Sequence, residues 1–265
     1  MLRPRITPCL LIRNGGLVKT QQFSNDKYVG DPINAVKIFN EKAVDELIII
    51  DIDATRLGSD PNYALIQRLA NEARMPICYG GGIKTSAQAE KIIKMGVEKV
   101  ALSSALFVNP ELISELAKAL GSQSVVGVLD VKKSLFKGYS IFIENGVKKI
   151  PGTLSEWVTT FQDFGIGEIL INSIDRDGMQ AGYDLELVKG ITGFLNVPST
   201  FLGGAGSLSD IKKLIAQRGL GGCAAGSLFV FKGKYRAVLI NYPKFAEKID
   251  LIELGLAEYN SNVRK

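Results

Sequence analysis

Gly80-Gly-Gly82 followed by Ser103-Ser-Ala-Leu-Phe107 recurs later in the chain as Gly203-Gly-Ala-Gly206 followed by Ala225-Gly-Ser-Leu-Phe229. Gly80 and Phe107 lie 27 residues apart, and Gly203 and Phe229 lie 26 apart. Asp51-Ile-Asp53 likewise matches Asp175-Arg-Asp177. Several motifs repeating at nearly constant spacing mark an internal duplication. Each motif closes a short apolar run, and helical patterns fill the intervals.

The apolar runs are Arg5–Ile12, Leu47–Ile52, Ile77–Tyr79, Lys99–Leu102, Ser124–Val131, Ile169–Asn172, Ser199–Leu202 and Gly222–Ala225. They are continuous rather than alternating, as parallel strands covered on both faces should be. Eight strand–helix units predict an α/β fold, a single (β/α)₈ barrel made of two half-barrel repeats. Asp31-Pro32, Asp60-Pro61 and Asn109-Pro110 each place a capping residue before a proline at a helix start. Thr85-x-x-Gln88 is a capping box, and Ala89, Ile92, Ile93 and Gly96 then follow one helical face. Asn145-Gly146 between alternating runs predicts a hairpin with a type I′ turn. The barrel is expected over residues 1–242, with a hairpin insertion near 132–152. Residues 243–265 form a C-terminal extension whose polar end, Asn260–Lys265, is expected to fray.

At 265 residues the chain can bury a large core. Met1-Leu-Arg-Pro-Arg5 shows no signal pattern, and no apolar stretch reaches spanning length, so a cytoplasmic protein without membrane contact is expected. Cys9, Cys78 and Cys223 are odd in number and set in apolar runs, which predicts buried free thiols. The net charge of +5 is spread over helical faces without a basic block. That argues against nucleic acid and for an anionic small molecule or an acidic partner. With no histidine, proton transfer must fall to Asp, Glu, Lys or Cys, and a His-ligated metal site is excluded. No metal and no cofactor are expected.

The glycine and serine turns belong to the face where the strands end, and bare N–H groups there cradle anions. Gly82, Ser103 and Ser104 form one candidate cradle; Gly204, Gly206, Gly226 and Ser227 form the other. Two cradles suit a ligand with two phosphates, or a nucleotide diphosphate held by one. The same turns can equally serve only to tighten the backbone. Asp130 ends strand 5 on that face, placed for acid–base work or for orienting ammonia; an ion pair with Lys19 or Lys132 is the alternative. Asp51 and Asp175 also end strands and read as structural or ligand-positioning. On the internal repeat Leu11 stands opposite Asp130. Arg5, Glu46, Lys99 and Glu168 sit at strand starts and should converge on the opposite face, where a stabilising role is the ordinary reading.

Arg5-Ile-x-Pro-Cys-Leu10, Gly80-Gly-Gly-Ile83, Gly121-Ser-Gln-Ser124, Asp175-Arg-Asp-Gly178, Gly182-Tyr-Asp184 and Gly203-Gly-Ala-Gly206 together resemble HisF, the cyclase subunit of imidazole glycerol phosphate synthase. The resemblance covers about residues 1–242. It implies a barrel that receives ammonia at its bottom from a glutaminase subunit, HisH-like, and uses it at the top on a phosphorylated substrate. It further implies that Arg5, Glu46, Lys99 and Glu168 form the gate to the ammonia passage. Lys19 and Asp130 fall at active-site positions, and Gly82, Ser104, Gly178, Gly204 and Ser227 at phosphate-contacting ones. The chain departs from the family at Leu11, where a second catalytic aspartate is expected, and at Ser103, where an asparagine is.

Cys9-Leu-Leu-Ile12, Leu17-Val-Lys-Thr20, Tyr28-Val-Gly-Asp-Pro-Ile-Asn34, Asp51-Ile-Asp-Ala54 and Ala224-Ala-Gly-Ser-Leu-Phe-Val-Phe231 are more narrowly similar to the HisF-like branch often called WbuZ. That resemblance implies amidation of a surface-polysaccharide sugar, with a phosphorylated or nucleotide-linked small-molecule substrate. The other readings are an authentic cyclase of histidine biosynthesis and a non-catalytic barrel that only activates its glutaminase.

Overall fold

The computed structural model describes residues 3–134 and 138–263, so residues 135–137 of the expected insertion and the last two of the expected frayed end lie outside it. Eight parallel strands run in order: β1 (Arg5–Arg13), β2 (Leu47–Asp51), β3 (Ile77–Gly80), β4 (Lys99–Leu102), β5 (Val125–Ser134), β6 (Glu168–Ser173), β7 (Ser199–Leu202) and β8 (Gly222–Ala225). Each pairs with the next, and β8 pairs with β1, which closes the barrel. Around it stand α1 (Pro32–Glu41), α2 (Tyr63–Glu72), α3 (Ser86–Lys94), α4 (Glu111–Leu120), α5 (Leu154–Asp163), α6 (Leu185–Thr192), α7 (Leu208–Arg218) and α8 (Phe245–Val263). The structure is thus the expected (β/α)₈ barrel.

Two apolar layers follow from strand alternation. Outward residues such as Ile6, Leu10, Ile49, Leu129 and Ile171 meet the helices in the main core. Inward residues Cys9, Ile48, Cys78, Ala101, Val126, Leu170 and Ala224 fill the lumen. All three cysteines are buried and free.

Asp31 caps α1 by accepting Asn34 N–H at 2.9 Å with Pro32 at its first turn, and the Thr85–Gln88 capping box is present. Asp60 is not a cap. Tyr63 N–H bonds back to Pro61 C=O, so α2 starts later and Asn62 caps it, while Asp60 accepts Gln88. Asn109 makes no side-chain cap, because it is the extended junction between a short helix, Ser104–Val108, and α4. Gly96 lies past the end of α3 and off its buried face. Asn145 and Gly146 have φ of 59° and 79°, as a type I′ turn requires, and Val147 N–H bonds Glu144 C=O across them.

Two features depart from the sequence pattern. A second hairpin, Gly16–Gln21 with Ser24–Gly30, follows β1 just as Gly138–Ile143 with Lys148–Lys149 follows β5. Its strands carry Lys19, Gln21 and Asp26 among few apolar residues, so periodicity hides it. Asn260–Val263, expected to fray, instead continue α8. That helix packs on α7 through Gly255 against Ile215 and through Lys212–Glu258 at 3.3 Å.

The glycines make one clean test of this packing. Gly222 faces the lumen, and a Cβ there would run into Thr200 Oγ1. Gly190 sits inside α6 with open space around it. Gly222→Ala is expected to lower unfolding free energy by about 1–3 kcal/mol. Gly190→Ala is expected to raise it by about 0.5–1 kcal/mol. Urea denaturation of both variants checks the opposite signs.

Candidate active site

The two hairpins and the strand-end turns surround a cavity of about 510 Å³ at the top of the barrel. Its floor reaches down to Cys9, Ile48, Ala101 and Leu170 in the lumen. Asp130, Lys19, Gly82, Ser103, Ser104, Gly178, Gly204, Gly226 and Ser227 all line it. Gly206 does not. Its N–H is already given to Asp210, within the capping box of α7, so it is not a cradle residue.

Asp130 is paired with neither Lys19 nor Lys132. Its Oδ1 accepts the Asn172 amide at 2.9 Å across the β5–β6 pairing, where the two residues are Cα partners. The corresponding partners between β1 and β2 are Leu11 and Ile50. One half-barrel therefore presents a hydrogen-bonded Asp–Asn pair to the cavity, and the other presents two apolar side chains. Sequence comparison exposed Leu11 but not its partner, because only the register aligns Ile50 with Asn172. Burial drives the Asp130 carboxyl up to about 7, with Asp177 adding to the rise and the Asn172 bond opposing it. The group is thus poised to exchange a proton near neutrality.

Lys19 enters from the hairpin after β1 and donates to Cys9 C=O at 2.5 Å. Burial lowers its affinity for a proton, while Cys9 and Asp177 work the other way. A Cβ at residue 226 would lie 2.6 Å from the Lys19 Nζ, so this turn needs glycine for the ammonium to fit. Asp177 accepts Thr20 Oγ1 at 2.6 Å, which ties the β6 turn to the hairpin, and Arg236, from the segment after β8, donates to Gly178 C=O at 3.2 Å.

Strand register also shifts two of the repeat matches. Ile50 pairs with Gly80 and Asn172 with Leu202, so Gly81 and Gly82 correspond to Gly203 and Gly204. The spacings to Phe107 and Phe229 then become equal. Ile12 pairs with Asp51 and Val131 with Ser173, so Ser173 holds the place of Asp51. Asp175 lies beyond the end of β6 in a 3₁₀ turn, where it accepts Lys133 N–H, and it does not line the cavity. Asp51 does line it and accepts the Asp53 and Ala54 N–H groups. The hydroxyls of Ser103 and Ser227 are buried without a protein partner. Each lies in the turn that follows a strand at the cavity, at different positions of the repeat, as a hydroxyl waiting for an acceptor or donor from a ligand would be.

At the opposite end the four predicted residues converge. Arg5 bonds Glu46 at 3.0 Å and Glu168 at 2.5 Å, and Lys99 bonds Glu46 and Glu168 at 2.8 Å each. Thr200 Oγ1 adds a bond to Glu168 at 2.6 Å. The charges alternate around a closed ring. Burial raises Glu168, but Arg5 and Lys99 outweigh it and hold the carboxyl below its usual 4.5.

Two stability predictions follow from these charges. Glu168→Gln leaves a half-paired ring and is expected to cost about 3–5 kcal/mol. Because the folded pKa lies below 4.5, this difference is full above that pH and fades as pH falls through the lowered value. Asp130 has the opposite sign, its folded pKa being raised from 3.8 to about 7. Asp130→Asn is expected to change little at about pH 3 and to stabilise increasingly up to about pH 8. Denaturation of each variant against pH measures both trends.

A family model described as "Histidine biosynthesis protein" matches residues 5–236. A Vibrio vulnificus protein named "Putative imidazole glycerol phosphate synthase subunit hisF3" is 57% identical over 255 residues, spanning 96% of this chain and 98% of the relative. A Leptospira borgpetersenii protein named "Putative imidazole glycerol phosphate synthase subunit HisF" is 54% identical over 249 residues, spanning 94% and 98%. The Streptococcus sanguinis "Imidazole glycerol phosphate synthase subunit HisF" is 35% identical over 229 residues, spanning 86% and 91%. The chain therefore belongs to the histidine biosynthesis protein family, as a barrel of the HisF cyclase-subunit type.

Proposed function

We propose that this barrel is the ammonia-using subunit of a two-component glutamine amidotransferase, and that its acceptor is a phosphorylated or nucleotide-linked sugar of surface-polysaccharide synthesis. The observation that carries the reading is the pair Leu11–Ile50 standing where the other half-barrel has Asp130–Asn172. Ring closure and carbon–nitrogen cleavage in the cyclase reaction both move protons, and a leucine–isoleucine pair moves none. Delivery of ammonia to one electrophilic carbon needs a single base, and Asp130 suffices for that. The four-residue ring at the bottom supports a gated entry from a HisH-like glutaminase, and the small, apolar lumen above it supports passage of a neutral molecule.

In this reading ammonia rises past Cys78 and Cys9 and meets the acceptor beside Asp130. As the new carbon–nitrogen bond forms, the nitrogen gains positive charge and Asp130 takes up one of its protons. The electron pair of the acceptor's breaking C=O π bond moves to its oxygen, and Lys19, destabilised as a cation by burial, protonates that oxygen so that it can leave from the tetrahedral adduct. Gly82, Ser103, Ser104, Gly178, Gly204, Gly226 and Ser227 hold the phosphate groups, with the two unpaired serine hydroxyls as the direct donors. No metal or cofactor enters this scheme.

The second reading is an authentic imidazole glycerol phosphate synthase cyclase, favoured by Asp130 and Lys19 standing in the cavity. The two are separated by an assay with excess ammonium and the histidine-pathway ribonucleotide. Wild type is expected to show at least about a hundredfold less turnover than a HisF from the 35%-identical group. Leu11→Asp, alone and with Ile50→Asn, is expected to raise it. Turnover by wild type at the rate of that HisF overturns the amidation reading. Amidation itself is expected to depend on Asp130 with a limb near pH 7, rising with pH, and the limb should vanish in Asp130→Asn.

A further inference from the structure

A second buried polar cluster lies directly beside the bottom ring. Asp45 precedes Glu46 in the chain, and Ile6 follows Arg5. Asp45 Oδ2 accepts the Ile6 backbone N–H at 3.1 Å, and its Oδ1 accepts Lys248 Nζ from α8 at 2.6 Å. Tyr242 OH donates to Ile6 C=O at 2.8 Å and lies 3.4 Å from Asp45 Oδ2. Both backbone polar groups of Ile6 are therefore held by side chains, one from the β2 entry and one from the segment leading into α8.

Lys248 is 7% exposed and Tyr242 is 9% exposed. The Asp45 side chain is 27% exposed, and a partly buried lysine–aspartate pair adds little net stability, because desolvation offsets most of the attraction. What such a pair does well is to fix geometry. Here it fixes the two residues whose immediate neighbours, Arg5 and Glu46, bond to each other at 3.0 Å in the ring. Arg5 is the ring member most open to solvent, with a third of its side chain exposed, against 17% or less for Lys99, Glu46 and Glu168. It is thus the member with the most need of backbone restraint.

We propose that Asp45, Tyr242 and Lys248 are positioning residues for the ring, so that α8 holds Arg5 and Glu46 in register and keeps the lumen shut. This rests on the reading of the ring as the closure of the lumen.

Cys78 reports on that closure without any substrate or partner. It faces the lumen, is the Cα partner of Lys99, and is absent from the lining of the top cavity. Cys223 is buried in the outer core and serves as an internal control for general loosening. The full-length protein is treated with methyl methanethiosulfonate, and each cysteine is followed by peptide mass. Wild-type Cys78 is expected to be protected. Lys248→Met and Tyr242→Phe are each expected to speed its modification about tenfold or more, with Cys223 unchanged. Lys248→Arg is expected to restore protection. Glu168→Ala, which opens the ring directly, is the reference for full access.

Fast Cys78 modification in Glu168→Ala but not in Lys248→Met or Tyr242→Phe overturns the positioning role and leaves the ring reading intact. Protection of Cys78 even in Glu168→Ala overturns the ring as closure, and this proposal with it. Cys78 and Cys223 accelerating together in Lys248→Met and Tyr242→Phe means that the cluster only stabilises the fold, which also overturns it.

Discussion

Side chains on a β-strand point alternately to its two faces, and in a closed barrel one of those faces is a lumen too narrow for large groups. Every strand here must therefore send each second residue inside and still leave room for the others. The sequence meets that constraint with glycine, alanine and cysteine at Gly80, Ala101, Ala224, Cys9 and Cys78, interleaved with Ile48, Val126 and Leu170. Polar residues are admitted to the lumen mainly at its two ends, where hydrogen-bond partners exist. Arg5, Glu46, Lys99 and Glu168 satisfy one another below, and Asp130 and Asn172 do so above. The site and the ring are two ends of the same set of inward positions.

The two ends differ in how their charge is compensated. The ring balances two cations against two anions, and Arg5 and Lys99 hold the Glu168 carboxyl below its usual value despite burial. Asp130 has only an amide beside it and no cation among its bonded partners, so desolvation dominates and its proton is held to about 7. A carboxyl in that state suits chemistry in which one proton must be taken up at a defined point. The Leu11–Ile50 pair makes the facing side of the cavity apolar.

The barrel was legible because its signals are local and repeated. Continuous apolar runs, the glycine turns and the strand-start charges each sit within a few residues, and duplication confirms them. Arg5, Glu46, Lys99 and Glu168 could be grouped from their common position at strand starts alone. What stayed hidden depends on register or on partners far away in sequence. Asn172 matters through Asp130, and Ile50 through Leu11, and neither pairing can be read without strand alignment. Asp177 is bound to Thr20 across the cavity mouth, and the first hairpin carries too few apolar residues to announce itself. Gly206 looked like part of a cradle because glycine clusters say nothing about which N–H groups are already in use.

The first hairpin has one further meaning. Thr20 and Gln22 bond to the turn after β6, and Phe23 packs near Gly146 of the second hairpin, whereas Lys133 and Tyr139 of the second insertion bond to Asp175, Glu186 and Asp184 of their own half. The two halves share an ancestry of pattern but not a symmetry of dependence. A symmetric chimera built from two copies of the second half would regain a matched Asp–Asn pair on both sides and lose the strap across its mouth. A chimera built from two first halves would have two straps and nothing to fasten them to. Divergence after duplication has made each half the other's missing part, so the chain can no longer be reduced to its repeat.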